Sequence, residues 1–253
     1  MTKIHVEIIG QGQPLVMLHG WAMHSGVWRG FAEKLAQHWQ IICLDLPGHG
    51  HSEVVTPFSL ENIGDVLLQV IPVQHFTLLG WSLGATVAMS MAERHPERVQ
   101  KLIVLAGNPH FVQADDWPGV KSEVLDAFIE LLKTDVQQTL IRFLALQVNG
   151  LSHGKALLQS LKLALQACPP PQIATLQAGL DILKNSDFRQ FIQENHLPVS
   201  LILGDKDTLI PLATSQALQR LNPNIGLHVL EGAGHAPFLS HPQQLQDAIN
   251  TML

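Results

Sequence analysis

Gly80-Trp81-Ser82-Leu83-Gly84 lies between an apolar run at residues 76–79 and a helical pattern that begins at Ala85. A serine flanked by glycines at a strand-to-helix junction has the pattern of a nucleophile elbow. The glycines are needed because the backbone turns so tightly that a Cβ at either position would crowd its neighbours. The stretch therefore predicts a strand, a sharp turn that lifts the Ser82 hydroxyl out of a sheet, and a helix whose first N–H groups are free.

Short apolar runs and helical patterns alternate on both sides of this turn. We predict strands at residues 4–9, 15–18, 40–44, 76–79, 102–105, 199–203 and 227–230. Helical patterns occupy residues 28–37, 60–68, 85–95, 213–221 and 243–253. Continuous apolar runs are typical of strands that are buried on both faces. The alternation predicts an α/β fold with a mostly parallel central sheet flanked by helices.

Between residues 120 and 192 the strand pattern stops. Four helical patterns follow one another there, at residues 123–133, 136–147, 155–167 and 173–184. We therefore expect a core formed by residues 1–119 and 193–253, interrupted by a helical cap, or lid, at residues 120–192.

Composition restricts the classes of function. Hydrophobic residues make up 46% of the 253 residues and charged residues 14%, which favours a compact fold over disorder. The formal net charge of -6 argues against general nucleic-acid binding. Two cysteines, Cys43 and Cys168, indicate free thiols in a reducing compartment. No apolar run is long enough for a membrane span and no leader pattern opens the chain, so we expect a cytoplasmic monomer without membrane association.

A serine hydroxyl needs a base, and the base needs an orienting carboxylate. In elbow proteins the three residues follow in the order serine, acid, histidine. His235 lies in a loop of small residues just after a predicted strand, which lets its imidazole reach Ser82. The acid is Asp207 or Asp205; we favour Asp207 because it lies further past the strand end, whereas Asp205 is placed to cap the turn.

Negative charge that develops on a substrate oxygen requires backbone donors. The N–H of Leu83, next to the nucleophile, is one expected donor, and the N–H of Trp21, in the loop after the strand at residues 15–18, is the other. The indole of Trp21 either lines the substrate entrance or belongs to the core, and the sequence does not choose between these.

Several motifs resemble the α/β-hydrolase superfamily over nearly the whole chain: Leu18-His19-Gly20-Trp21, Asp45-Leu46-Pro47-Gly48-His49-Gly50, the elbow, and Gly234-His235. Within it, the chain resembles the pimeloyl-[acyl-carrier-protein] methyl ester esterases of biotin synthesis. The more specific marks lie in or beside the helical section: Asp116-Trp117-Pro118-Gly119, the stretch from Arg142 to Gln147, and residues 179–184.

The resemblance implies hydrolysis of the methyl ester of a pimeloyl chain attached to an acyl-carrier protein, without metal or organic cofactor. It implies Ser82, Asp207 and His235 as catalytic residues, and substrate contacts from Trp21, Ser82, Leu83, Phe143, Leu144, Ala145, Leu146, Gln147 and His235. Carrier docking is expected at Arg142, Lys155 and Lys162. The chain departs from the family at Gln138 and Gln159, where basic side chains are expected.

Two other classes of function fit the same pattern. One is a broad short-chain esterase, or a C–C bond hydrolase or lyase on the same fold. The other is a ligand-binding receptor that keeps the three residues without turnover. A substrate panel separates the enzymes, and covalent labelling of Ser82 separates an enzyme from a receptor.

Overall fold

The computed structural model describes residues 2–252 and contains one seven-stranded sheet. The strands lie in the order β1-β3-β2-β4-β5-β6-β7; β1 is antiparallel to β3 and the other pairs are parallel. This confirms the predicted α/β fold with a mostly parallel sheet. The strands are β1 Val6–Ile9, β2 Gln13–Leu18, β3 Trp39–Leu44, β4 Phe76–Trp81, β5 Val99–Leu105, β6 Val199–Gly204 and β7 Gly226–Leu230.

Apolar side chains are packed on both faces of the sheet. Alternate side chains of a strand point to opposite sides, so one strand contributes to both core clusters. In β2, Val16 and Leu18 pack into one core cluster, while Leu15 and Met17 pack into the other. Helices supply the rest of both clusters. They are α1 Arg29–Leu35, α2 Leu60–Val70, α3 Leu83–Arg94, α4 Ser122–Thr134, α5 Val136–Gln147, α6 Gly154–Gln166, α7 Ile173–Asn185, α8 Arg189–Glu194, α9 Ala213–Leu221, α10 Pro237–Ser240 and α11 Pro242–Met252.

The helical section follows β5 and precedes β6. Its four predicted helices are present as α4 to α7, with ends within one residue of the sequence-based bounds. The segment after α7 is joined to the loop after β5, because Phe188 N–H donates to the Pro109 carbonyl at 2.8 Å. The short helix α8 was not predicted and crosses the expected boundary between residues 192 and 193. With six residues and one buried apolar side chain, Ile192, it is too short for a helical repeat to stand out.

The other unpredicted elements are also short. A 3-10 turn at Ser25–Trp28 precedes α1, and the four-residue helix α10 separates β7 from α11. The closing helix, expected at residues 243–253, occupies Pro242–Met252, and Leu253 lies outside the described residues.

Buried polar groups hold together the loops that follow β2 and β3. Asp45 accepts the N–H of Ser25 at 2.6 Å and that of His51 at 2.8 Å. His19 Nε2 lies 2.9 Å from Leu46 N–H, which can only donate, so the proton of this ring is on Nδ1 and is donated to the Gly20 carbonyl at 2.8 Å. His19 therefore binds as a neutral imidazole that joins two loops at the carboxyl edge of the sheet.

Burial sets the charge state of this group. It lowers the pKa of His19 to about 3, with the neighbouring His49 acting in the same direction, and it lowers the pKa of His49 to about 4. Burial alone would raise the pKa of Asp45, but the neighbouring His19 and the N–H groups donated by His51 and Ser25 hold it below its ordinary value. At neutral pH, His19 and His49 are thus uncharged and Asp45 is a carboxylate.

We predict that the free energy of unfolding falls as pH drops from about 6.5 to about 4.5. A histidine whose pKa is lowered on folding stabilises the folded protein fully above its unfolded pKa, and this stability is lost toward the folded pKa, by up to about 1.4 kcal/mol per pH unit for each ring. Urea unfolding across this pH range measures the slope. The double variant His19→Gln, His49→Gln should have a shallower slope than the native chain, whereas equal slopes would contradict the assignment. Because the pKa of Asp45 is lowered on folding, the stability that its carboxylate contributes is lost at lower pH, where the carboxylate is protonated.

Candidate active site

The turn between β4 and α3 has a backbone geometry that few residues adopt. Ser82 has φ 55° and ψ -118°, outside the regions favoured by residues with a side chain. A Cβ on Gly84 would lie 2.5 Å from the His19 carbonyl oxygen, and one on Gly80 would lie 2.5 Å from the carbonyl carbon of Gly84. Ser82 N–H donates to the Leu105 carbonyl at 3.1 Å. The close approach of the neighbouring backbone explains why glycine flanks the serine on both sides.

Three side chains that are distant in sequence form a hydrogen-bonded chain at this turn. The Ser82 hydroxyl lies 2.9 Å from His235 Nε2, and His235 Nδ1 lies 2.8 Å from Asp207 Oδ2. A carboxylate can only accept, so Nδ1 carries the proton and Nε2 is free to accept the serine proton. The group is buried, with 2% of Ser82 and none of His235 exposed. This arrangement is suited to removing a proton from a hydroxyl.

The structure brings Asp207, and not Asp205, to the imidazole. The second oxygen of Asp207 accepts the N–H groups of Leu209 at 2.8 Å and Ile210 at 3.0 Å, which fixes the carboxylate in its own loop. Asp205 instead accepts the N–H of Gly232 at 2.7 Å. It thus closes the turn that leads to His235, the capping position that we expected for it.

The loop after β2 lies directly against the elbow. A Cβ on Gly20 would lie 3.2 Å from the Ser82 Cβ. Within residues 2–252, the backbone N–H groups of Trp21 and Leu83 donate to no backbone oxygen. Both expected oxyanion donors are therefore available on segments that adjoin the serine.

The side chain of Trp21 is buried beneath the helical section. Its Nε1 donates to the Leu176 carbonyl of α7 at 2.8 Å, and its ring lies edge-on to Phe143 with 4.7 Å between centroids. Only 1% of the residue is exposed. The indole thus joins the loop after β2 to α5 and α7, a contact that the sequence left undecided.

Helix α5 ends against the loops that carry the acid and the histidine. Its Leu146 carbonyl accepts the Thr208 hydroxyl at 2.8 Å, and its Gln147 carbonyl accepts the His235 N–H at 3.2 Å. The Gln147 side chain is also buried, and neither of its amide atoms has a partner among the described residues. An unpaired amide beside the site is available to bind a polar group of a ligand.

Residues 143–147, the segment expected to contact substrate, pack against both core clusters. Phe143 packs into the same core cluster as Trp21, and Leu144 packs into the cluster on the opposite face of the sheet. Ala145 and Leu146 are partly buried. Substrate contacts at Phe143, Leu144, Ala145, Leu146 and Gln147 stay predictions.

The residues expected to dock a carrier lie on the outer side of α5 and α6. Arg142 and Lys155 are exposed and Lys162 is half-buried, and none of the three forms an ion pair with a described residue. Gln138 and Gln159 are also exposed. The three cations are therefore free to meet an external partner.

Two contacts of the site were not expected from the sequence. Thr208 binds α5, and the Trp81 indole N–H donates to the His235 carbonyl at 2.7 Å. Trp81 belongs to the elbow motif, so the sequence already placed it beside the site, whereas nothing in the sequence indicates the partner of Thr208.

Among residues 2–252, no three His, Cys, Asp or Glu side chains form a group that could hold a metal ion. No helix in that range has the length and apolar character needed to cross a membrane.

Comparison with known proteins shows the family. A family model described as alpha/beta hydrolase fold matches residues 13–242. A pimeloyl-[acyl-carrier protein] methyl ester esterase from Nitrosomonas europaea is 42% identical over 253 residues, covering 100% of both chains. Its namesake from Aeromonas salmonicida is 41% identical over 249 residues, covering 98% of each chain.

Solved structures agree on the architecture. The esterase EaEST from Exiguobacterium antarcticum matches with a TM-score of 0.88 at 27% identity, covering 99% of this chain and 95% of that chain. The enol-lactonase from Burkholderia xenovorans matches with a TM-score of 0.86 at 17% identity, covering 99% and 96%, and this likeness concerns the fold alone. The chain therefore belongs to the α/β-hydrolase family, and within it to the family of proteins named pimeloyl-[acyl-carrier protein] methyl ester esterase.

Proposed function

We propose that this chain is a serine esterase that hydrolyses the methyl ester of pimeloyl-[acyl-carrier protein], releasing methanol and the free carboxylate in biotin synthesis. The observation that carries the chemistry is the continuous hydrogen-bonded chain from the Ser82 hydroxyl through His235 to Asp207. The choice of substrate is supported by relatives of that name that align over the full length.

In the first half of the proposed reaction, His235 Nε2 takes the Ser82 proton while the serine oxygen attacks the ester carbonyl. The N–H groups of Leu83 and Trp21 hold the negative oxygen that forms. Asp207 keeps the imidazole in the reactive tautomer and stabilises its charged form. As the intermediate collapses, His235 gives its proton to the methoxy oxygen, and methanol leaves behind an acyl-serine.

Water completes the cycle. His235 takes a proton from a water molecule as its oxygen attacks the acyl carbonyl, and returns that proton to Ser82 when the intermediate collapses. The product is a carboxylic acid that ionises at neutral pH, and the enzyme is restored. Each step uses only side chains and N–H groups of the chain, so the proposal needs no cofactor.

We further propose that residues 120–192 act as a cap over the acyl-binding site. Phe143 supplies an apolar wall against Trp21, and the unpaired amide of Gln147 is placed to bind a polar atom of the substrate. Ser82 and His235 are buried, so a substrate reaches them only when the helices above the site move.

Charge supports carrier docking on the outer side of this cap. Residues 136–180 contain Arg142, Lys155 and Lys162 but no Asp or Glu, in a chain whose net charge is -6. Lys155, Gln159, Lys162 and Gln166 share one face of α6, and the adjoining Leu163 is 59% exposed. A positive surface with an apolar residue fits an acidic carrier protein. The glutamines at 138 and 159 leave fewer cations for docking than the family resemblance implies.

Replacing Ser82 by alanine should lower hydrolysis of a p-nitrophenyl ester by about 10⁴-fold or more, because the attacking oxygen is removed. Ser90→Ala is the matched control, since Ser90 is a buried serine of α3, the helix that follows Ser82, and makes no contact assigned to the reaction. Steady-state rates and labelling by a fluorophosphonate measure the effect. Native turnover in Ser82→Ala would exclude the mechanism, and labelling of the native protein without any turnover would favour a receptor.

The two acids of the β6 loop should differ sharply. Asp207→Asn should lower kcat by about 10⁴-fold, because an amide presents the wrong hydrogen-bonding group to His235. Asp205→Asn should change kcat by less than about 5-fold, since an amide oxygen can still accept the Gly232 N–H. Equal losses of activity in both variants would contradict the assignment of the acid.

Reversing two charges on α6 should affect only the carrier-bound substrate. In Lys155→Glu, Lys162→Glu, KM for pimeloyl-carrier methyl ester should rise about 10-fold at low salt, and this difference should shrink as salt is added. KM for a p-nitrophenyl ester should stay unchanged. Arg220→Glu, an exposed cation on α9, is the control. A native chain that prefers free short esters to the carrier-bound ester would instead support a broad esterase.

A further inference from the structure

We infer that Trp81 is a positioning residue for His235: its indole N–H fixes the backbone of the histidine so that the imidazole stays aligned with Ser82. The inference rests on the proposed ester hydrolysis. Trp81 is the residue before Ser82 in the chain, and its side chain contacts His235, which is distant in sequence.

The contact is direct and buried. Trp81 Nε1–H donates to the His235 carbonyl oxygen at 2.7 Å, and neither residue is exposed to solvent. The two rings are also close, with 5.8 Å between their centroids. Because no water competes for either group, this hydrogen bond holds the loop at one defined distance from the end of β4.

Other hydrogen bonds hold the loop before His235, from Gly232 N–H to Asp205 and from Lys206 N–H to the Ala233 carbonyl, but they act on residues 232 and 233 and not on His235 itself. Residues 232–234 are Gly, Ala and Gly, so they bring almost no side-chain packing of their own. The His235 N–H is held by the Gln147 carbonyl of α5 at 3.2 Å. The Trp81 bond holds the other side of the same residue. The first of these two bonds belongs to the helical section, and only the second belongs to the sheet.

The indole also supports the other parts of the site. A Cβ on Gly20 would lie 3.1 Å from Trp81 Cε3, so the ring backs the loop that carries the Trp21 N–H. The ring also packs against Phe238, three residues after His235, at 4.8 Å between centroids. A single rigid side chain thus sets the nucleophile turn, the oxyanion loop and the base relative to one another.

Trp28 provides a matched control within the same cluster of rings. It is fully buried and lies 5.9 Å from Trp81 and 4.4 Å from Phe238, measured between ring centroids. Its Nε1, however, has no hydrogen-bond partner among the described residues. Trp28→Phe therefore removes the same volume as Trp81→Phe from the same core without removing a hydrogen bond.

The test compares these two variants in hydrolysis of a p-nitrophenyl ester, alongside their thermal unfolding. Trp81→Phe should lower kcat about 10- to 100-fold with KM within about 2-fold of the native value, because a misaligned base slows the chemistry and not binding. Trp28→Phe, which breaks no hydrogen bond, should lose no more thermal stability than Trp81→Phe and less than about 3-fold in kcat. Equal kcat values in the two variants would overturn the inference.

Two further measurements cover the cases in which Trp81→Phe folds poorly or the native chain lacks esterase activity. A benzothienylalanine introduced at position 81 keeps the ring shape and lacks the N–H. It should reproduce the loss of kcat, and native kcat in that variant would overturn the inference.

The proton resonance of His235 Nδ1–H reports the alignment toward Asp207 without any turnover. It should shift in Trp81→Phe and not in Trp28→Phe. An unchanged resonance would overturn the positioning role, whereas a native chain without ester hydrolysis would overturn the proposed function alone.

Discussion

The hydrogen bond between the Ser82 hydroxyl and the His235 imidazole joins residues that are 153 positions apart. It forms only because the sheet brings the loops that carry them together. The sheet makes it possible because β4, β6 and β7 are parallel and end at one edge. Ser82 follows β4, Asp207 follows β6 and His235 follows β7. β4 and β6 are buried almost throughout, so the loops that follow them rest on a rigid base.

The helical section contributes to the site through backbone as well as side chains. The last carbonyls of α5 accept hydrogen bonds from Thr208 and His235, and Phe143 of the same helix packs on Trp21. One helix therefore contacts the loops that follow β2, β6 and β7. Movement of this helix to admit a substrate would release one of the two backbone bonds of His235, while the bond from Trp81, which belongs to the sheet, would remain.

Histidines in this chain show how environment decides function. His19 and His49 are buried among loops and are held neutral, with the pKa of His19 lowered to about 3 and that of His49 to about 4. They act as structural hydrogen-bonding groups. His235 is equally buried, but a carboxylate lies on one nitrogen and a hydroxyl on the other. The carboxylate accepts the proton on Nδ1, so Nε2 faces the Ser82 hydroxyl as an acceptor.

The sequence alone determined the class of fold, the presence of each strand and of the longer helices, and the order of serine, acid and histidine. These depend on local patterns: apolar runs, helical spacing, and glycines where the backbone turns tightly. Only the tertiary structure decided which of Asp205 and Asp207 reaches the imidazole, that the Trp21 indole lies under α7, and that Trp81 and Gln147 hold His235 from opposite sides. Those contacts join residues from separate strands and helices, and their partners depend on how the layers pack, which no local pattern contains.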